Sequence, residues 1–248
     1  MDETAPAVTE DHILGGRVRL AQPAKGYRAG LDAALLAAAC GARAGERVLE
    51  AGCGVGAAML AAAARAPGAV FVGVERDAAM LALAQANIAA NRFGDRVGAL
   101  AGDVTDGPPR GAPFDAAICN PPFFDDPGAL RAPHPGKRGA FLADDGLAAW
   151  TSYLLKSVRD GGAITVIHRA DRLADLLASL GARAGSFQVR PIHPFADAPA
   201  SRVLVRATRS GRAPLKLLPP LVLHERGGAK HAPEAEAILR GETDVPWL

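Results

Sequence analysis

Val48-Leu49-Glu50-Ala51-Gly52-Cys53-Gly54-Val55-Gly56 is a short apolar run that breaks into three glycines at alternate positions. The run has the length and composition of a buried strand. The glycines make a turn in which backbone can approach a ligand closely, and Ala57 to Ala66 continues as a helix whose N-terminus adds unpaired N–H groups and a positive dipole end. Ala69 to Val74 follows as a second apolar strand, with Glu75 at its tip, 19 residues beyond Gly56. Strand, glycine turn, helix and strand make the first half of a doubly wound sheet, and an acid at the tip of the second strand is where such sheets bind ribose hydroxyls.

Working outward, helical and strand-like stretches alternate along the chain, which predicts a mostly parallel sheet with helical crossovers. Asp32 to Gly41 reads as a helix with Asp32 at its N-cap, and Asp77 to Asn91 as a helix opened by Asp77. Leu147 to Arg159 reads as a helix, Ala163 to Ile167 as a strand, and Asp171 to Leu180 as a helix closed by Gly181. Phe187 to Ile192 and Arg202 to Ala207 read as strands with no full helix between them, so they are expected to be antiparallel. Leu215 to Leu223 is expected to extend that pair as a hairpin across Ser210-Gly211. The expected fold is α/β, a doubly wound Rossmann-like sheet of seven strands with an antiparallel last strand and a C-terminal β-hairpin extension. At 248 residues, 49% of them hydrophobic, the chain suits one domain over residues 1–248, with 1–11 expected to be flexible.

A second motif, Asn120-Pro121-Pro122-Phe123, ends the apolar run Phe114 to Cys119. An amide oxygen from Asn120 and the carbonyl of Pro121 can accept the two N–H bonds of a conjugated amine and so aim its lone pair. Two successive prolines fix φ and carry no N–H, which holds that carbonyl in place. Phe123 can stack on the ring that bears the amine. An Asn-Pro turn closing a strand has the same composition. Gly52-x-Gly54-x-x-Ala57 also fits the dinucleotide fingerprint, which makes a nicotinamide enzyme the competing reading. Against it, Glu50 puts a carboxylate where a pyrophosphate would be repelled and an ammonium attracted, and Asp103 after Val97 to Ala101 offers an acceptor for an adenine amino group. Ammonium, ribose and adenine together describe S-adenosylmethionine.

With these motifs in order, the chain resembles the class I S-adenosylmethionine-dependent methyltransferases of the small-domain type, and within them the bacterial tRNA1(Val) adenine-37 N6-methyltransferase-like proteins, over roughly residues 12–241. The resemblance implies that the segment Gln22 to Asp32, with Gln22, Arg28 and Asp32, touches the methionine end of the cofactor. It further implies that Glu50, Gly52, Gly54 and Gly56 line the methionine, Glu75 the ribose and Asp103 the adenine. Asn120 to Phe123 would hold the target amine, and Asn120 would also border the cofactor. The product would be S-adenosylhomocysteine. Phe123 stands where many adenine-N6 enzymes have tyrosine and where guanine-N2 enzymes also carry phenylalanine. Guanine N2 in ribosomal RNA and the side-chain amide of a protein glutamine therefore stay open as substrates, as does a binding protein without catalysis.

Charge separates along the chain. Residues 1–127 hold 11 Lys and Arg against 15 Asp and Glu, and residues 128–248 hold 17 against 11. Arg202, Arg206, Arg209, Arg212 and Lys216 form a run without acids, and with Arg131, Lys137 and Arg138 they are the expected contacts to an RNA backbone, tRNA by the resemblance. A solvated arginine-rich hairpin would look the same. The segment 124–146 is long for an ordered loop and follows the amine-binding motif, so it is expected to grip the substrate. Cys40, Cys53 and Cys119 have no metal-ligand spacing, the six histidines form no i, i+4 pair, and no metal is expected. His168 is expected to make a local hydrogen bond. With no signal peptide and no apolar stretch of membrane length, the expected location is cytoplasmic.

Overall fold

The computed structural model describes residues 7–25, 28–122 and 143–247. Its main sheet has nine strands, and the seven long ones run in the order β8-β9-β7-β6-β3-β4-β5. These are β3 (Arg47–Ala51), β4 (Val70–Glu75), β5 (Val97–Ala101), β6 (Phe114–Cys119), β7 (Val158–Arg169), β8 (Ala184–His193) and β9 (Arg202–Arg209). β5, β4, β3, β6 and β7 are mutually parallel, and β9 is antiparallel to both β7 and β8. The doubly wound sheet with one reversed strand is therefore present. Strand order reverses between β3 and β6, which puts the switch point of the topology at the two motifs.

Alternation along β3 divides the core. Val48 belongs to a cluster with α1 (Leu31–Ala39), α2 (Ala57–Arg65), α3 (Ala78–Ala90) and α6 (Pro233–Arg240). Leu49 and Ala51 face the other layer, α4 (Ala143–Ser157) and α5 (Leu173–Gly181). Helix α2 is almost entirely small: Ala57, Ala58, Ala61, Ala62 and Ala63 are all buried, so it lies close against the strands. Among the described residues no helix is long and apolar enough to cross a membrane.

Several boundaries differ from expectation for local reasons. Asp32 does not cap α1; Gly30 does, and Asp32 in the first turn pairs with Arg202 at 3.0 Å. Asp77 does cap α3, accepting from the N–H groups of Ala79 and Met80 at 2.9 and 3.1 Å. The helix expected to reach Arg159 stops at Ser157, because Arg159 is drawn to the Asp115 carboxylate at 2.8 Å and β7 begins at Val158. Residues 8–11, expected to be flexible, lie in β1 (Val8–Ile13), which pairs with β2 (Val18–Pro23) as an N-terminal hairpin.

The expected C-terminal hairpin takes another form. β9 already has neighbours on both edges, so the chain after Ser210-Gly211 cannot fold back onto it. β10 (Lys216–Leu217) and β11 (Leu221–Val222) pair instead with the open edge of β8, parallel to it.

Candidate active site

The glycine turn is sewn to the strand beside it. Gly52, Gly54 and Gly56 all have positive φ, +65°, +55° and +84°, a sequence of conformations that L side chains rarely adopt. The N–H of Cys53 donates to the carbonyl of Val74 at 3.0 Å. The N–H of Gly54 donates to the Glu75 carboxylate at 2.8 Å, and the other oxygen of that carboxylate accepts from the N–H of Asp77 at 2.9 Å. Cys53 is in the turn because it is small: its sulfur fills the space that a β-carbon on Gly73 would need.

Both expected acids of the first two strands are buried, and both face backbone. Glu75 ties the turn to the tip of β4. Glu50 accepts from the N–H of Met59 in the first turn of α2 at 2.9 Å, where the dipole end of the helix favours a carboxylate. Asp103, beyond β5, is partly exposed. Burial opposes its ionisation, but the N–H and hydroxyl of Thr105, each at 2.9 Å, and Arg76 at 3.6 Å together hold its carboxyl below the usual carboxylate range.

Asn120 and Pro121 follow β6 directly. Ala51 pairs with Cys119, so Gly52 and Asn120 leave adjacent parallel strands at the same level. The glycine turn and Asn120-Pro121 therefore meet at the C-terminal edge of the sheet, with Glu75 and Asp103 at the ends of the next two strands. Phe123 lies outside the described residues, as do Arg131, Lys137, Arg138 and most of the 124–146 segment.

The segment before β3 holds its polar side chains in local contacts. Gln22 is buried in β2, donating to Asp11 at 2.9 Å and accepting from the N–H of Ala29 at 2.9 Å. Arg28 binds Asp11 at 2.6 Å and Thr9 at 2.7 Å. Hydrogen bonding from Gln22, ahead of the charge of Arg28, holds the Asp11 carboxyl low. Gln22, Arg28 and Asp32 thus brace the hairpin and α1 with side-chain atoms already engaged.

The basic run does not form one face. β9 is antiparallel to β7, so Arg202, opposite Arg169, stands at the same edge as Asn120, while Arg209 stands opposite Ala184 at the far edge. Arg202 is paired with Asp32. Arg206 is half-buried against Trp247 and Gly41. Arg209 donates to the carbonyl of Leu155 at 2.7 Å. Arg209 and Arg212, with Arg183 and Asp160, line a cavity of about 460 Å³ at the end of the sheet away from Asn120. His168 behaves as expected: its Nδ1 accepts from the N–H of Arg169 at 2.9 Å, and burial, then the charge of Arg172, pushes the ring down to about 4.

Two contributors had no role in the sequence reading. Asn87 in α3 donates to the carbonyl of Val55 in the glycine turn at 2.9 Å and bonds β2 on its other side. Its signal was present as Asn87 and Asn91 spaced four apart in a helix otherwise rich in alanine. Trp150 in α4 rests on Gly52, and nothing but the rarity of tryptophan marked it.

Residues 48–132 match the family model described as a methyltransferase domain. The chain is 37% identical over 141 residues to a protein-L-isoaspartate O-methyltransferase of Bordetella avium, covering 51% of this chain and 52% of that protein. It is 34% identical over 162 residues to a release factor glutamine methyltransferase of Bordetella pertussis, covering 62% and 58%. It is 34% identical over 119 residues to a tRNA1(Val) (adenine(37)-N6)-methyltransferase of Shewanella amazonensis, covering 45% and 50%. The chain spans about half the length of these curated relatives. Among solved structures, a predicted O-methyltransferase of Agrobacterium tumefaciens superposes with a TM-score of 0.70 at 27% identity, covering 86% of this chain and 98% of that one. The matched segment is thus similar to a methyltransferase domain, and the fold is that of the Agrobacterium tumefaciens protein. The relatives differ in the atom they methylate.

Proposed function

We propose that the chain is an S-adenosylmethionine-dependent N-methyltransferase that acts on an exocyclic amine, the N6 of an adenine in tRNA. The observation that carries this reading is the adjacency of Asn120 and Pro121 to Gly52 across paired strands, which brings amine-orienting acceptors to the glycine turn. The turn fits the cofactor on its own chemistry. Its backbone is bared by three glycines with positive φ, and the carboxylates of Glu75 and Asp103 stand at successive strand ends to accept from ribose hydroxyls and an adenine amino group.

S-adenosylmethionine supplies an electrophilic methyl on a sulfonium and leaves as the neutral thioether. The protein's part is orientation. Asn120 and the Pro121 carbonyl accept the N–H bonds of the amine, the second proline keeps that carbonyl still, and Phe123 provides the stacking face. A strong base is not needed, because the amine gains its acidity as the methyl is transferred. His168, with Nδ1 occupied and its titration near 4, does not supply one. The base would be reached splayed from an RNA loop.

A second reading is methylation of a glutamine side-chain amide in a protein. The scattering of the arginine run over two edges of the sheet favours it, since no long basic track leads to Asn120 among the described residues. The Bordetella pertussis relative also shares the larger part of this chain. Transfer of labelled methyl from S-adenosylmethionine to unmodified tRNA, ribosomal RNA and protein fractions separates the readings, with Asn120→Ala as control. N6-methyladenosine in tRNA, lost by about a hundredfold in Asn120→Ala, is the expected result. Label in ribosomal RNA would replace the substrate by another base amine, and label in protein would establish the glutamine reading.

A further inference from the structure

Helix α4 descends from the catalytic edge, where the segment after β6 delivers it, to Ser157 at the start of β7. Leu147, Tyr153 and Leu154 form the stripe it buries against the sheet, each no more than 3% exposed. Trp150 lies in the middle of that stripe but keeps part of its surface accessible. A β-carbon built on Gly52 would stand 2.4 Å from Cη2 and 2.7 Å from Cζ3 of Trp150, so the benzo edge of the indole occupies the place a side chain would take. Gly52 is glycine for two independent reasons, its φ of +65° and this ring.

We infer that Trp150 is a wall of the methyl-donor site and touches the cofactor. The inference rests on the methyltransferase reading above. Gly52 and Asn120 are level on adjacent strands, so a donor seated on the glycine turn with its methyl toward Asn120 lies beside whatever covers Gly52. That group is an indole: broad, apolar on its edge, and held by a helix whose neighbouring turns are anchored in the core. Such a surface excludes water from the transfer path and sets the depth at which the donor rests.

The chain contains two tryptophans, which makes the test direct. Trp247 is engaged elsewhere, its Nε1 donating to the carbonyl of Ala39 at 2.8 Å. In the full-length Trp247→Phe protein, Trp150 is the sole indole. Titration with S-adenosylhomocysteine should change its emission saturably, with a midpoint equal to the Kd from calorimetry. Trp150→Leu should raise that Kd by about three- to tenfold, and Trp150→Phe by less. Heat of binding with flat emission and an unchanged Kd in Trp150→Leu would assign the ring to packing and overturn the inference. No heat of binding in the natural chain, for S-adenosylmethionine or its product, would instead overturn the methyltransferase reading and this inference with it.

Discussion

Asn87 acts toward Ala21 as a neighbouring strand would: its side-chain amide donates to the carbonyl of Ala21 at 2.9 Å and accepts from its N–H at 2.7 Å. Asn91, one turn on, repeats the pairing with Arg19 at 2.7 and 2.9 Å. Helix α3 therefore carries a two-rung ladder that docks the N-terminal hairpin, and the third bond of Asn87 reaches Val55 in the glycine turn. Asn87→Ala would strand buried backbone groups on both elements and should cost about 2–3 kcal/mol in urea unfolding. The amide protons of Arg19 and Ala21 should exchange faster in that variant. Protection equal to that of the natural chain would show that the hairpin is held by something other than this ladder.

Gly52→Ala combines a positive φ with a collision against Trp150. A loss of about 2–4 kcal/mol is expected. Part of it should return in the double variant Gly52→Ala with Trp150→Ala, which removes the collision but leaves the φ penalty. Additive losses in the double-mutant cycle would mean that the ring moves aside at no cost.

Glu75 is tied to the glycine turn through the N–H of Gly54 and to the start of α3 through that of Asp77 before it meets any ligand. Glu75→Ala should lower stability by about 2–3 kcal/mol as well as weaken binding of S-adenosylhomocysteine. A variant that binds less but melts like the natural chain would confine the carboxylate to ligand contact.

His168 makes stability depend on pH. Its folded value, about 4, lies below the ordinary 6.5, so between these limits the unfolded chain takes up a proton that the folded chain refuses. The contribution is complete above pH 6.5, declines as pH falls toward 4, and amounts to about 3 kcal/mol in total. Urea midpoints at pH 7 and 4.5 should diverge less in His168→Asn, which can still accept from the N–H of Arg169 but does not titrate. An equal divergence in both chains would place the acid sensitivity elsewhere.

Arg183 and Arg212 line the far cavity, away from Asn120. Replacing both with glutamine should leave kcat/KM for methyl transfer unchanged within about twofold and leave the salt dependence of RNA binding as it was. A slope reduced by about 1 to 2 would show that RNA wraps both edges of the sheet.

The glycine turn, the acids at the strand tips and the position of Asn120-Pro121 after a strand were legible in the sequence because each is contiguous or fixed in spacing. The reversed strand was legible because no helix separates Phe187–Ile192 from Arg202–Ala207. Long-range partners were not. Nothing local tells Glu50 that its carboxylate meets Met59, or Glu75 that Gly54 comes to it, because those contacts exist only once strands are ordered. The spread of the arginine run over two edges was not legible, for a geometric reason. Counting charge along a segment assumes one face, whereas β9 crosses the whole sheet and alternates its side chains as it goes. The hairpin misled because pairing depends on which edges are free, a property of the assembled sheet.

The open edge of that sheet carries its own safeguard. Leu215 and Leu217 are 49% and 68% exposed beside β8, an apolar border of the kind that recruits strands from other molecules. Here the border is cut into two-residue pieces: Pro214 precedes β10, Pro219 and Pro220 separate it from β11, and Lys216 sits between the two leucines. Three missing N–H donors and a charge leave no continuous template for an intruding strand. Concentrated preparations should accordingly stay free of cross-β aggregates, and replacing Pro219 and Pro220 by valine should be enough to seed them.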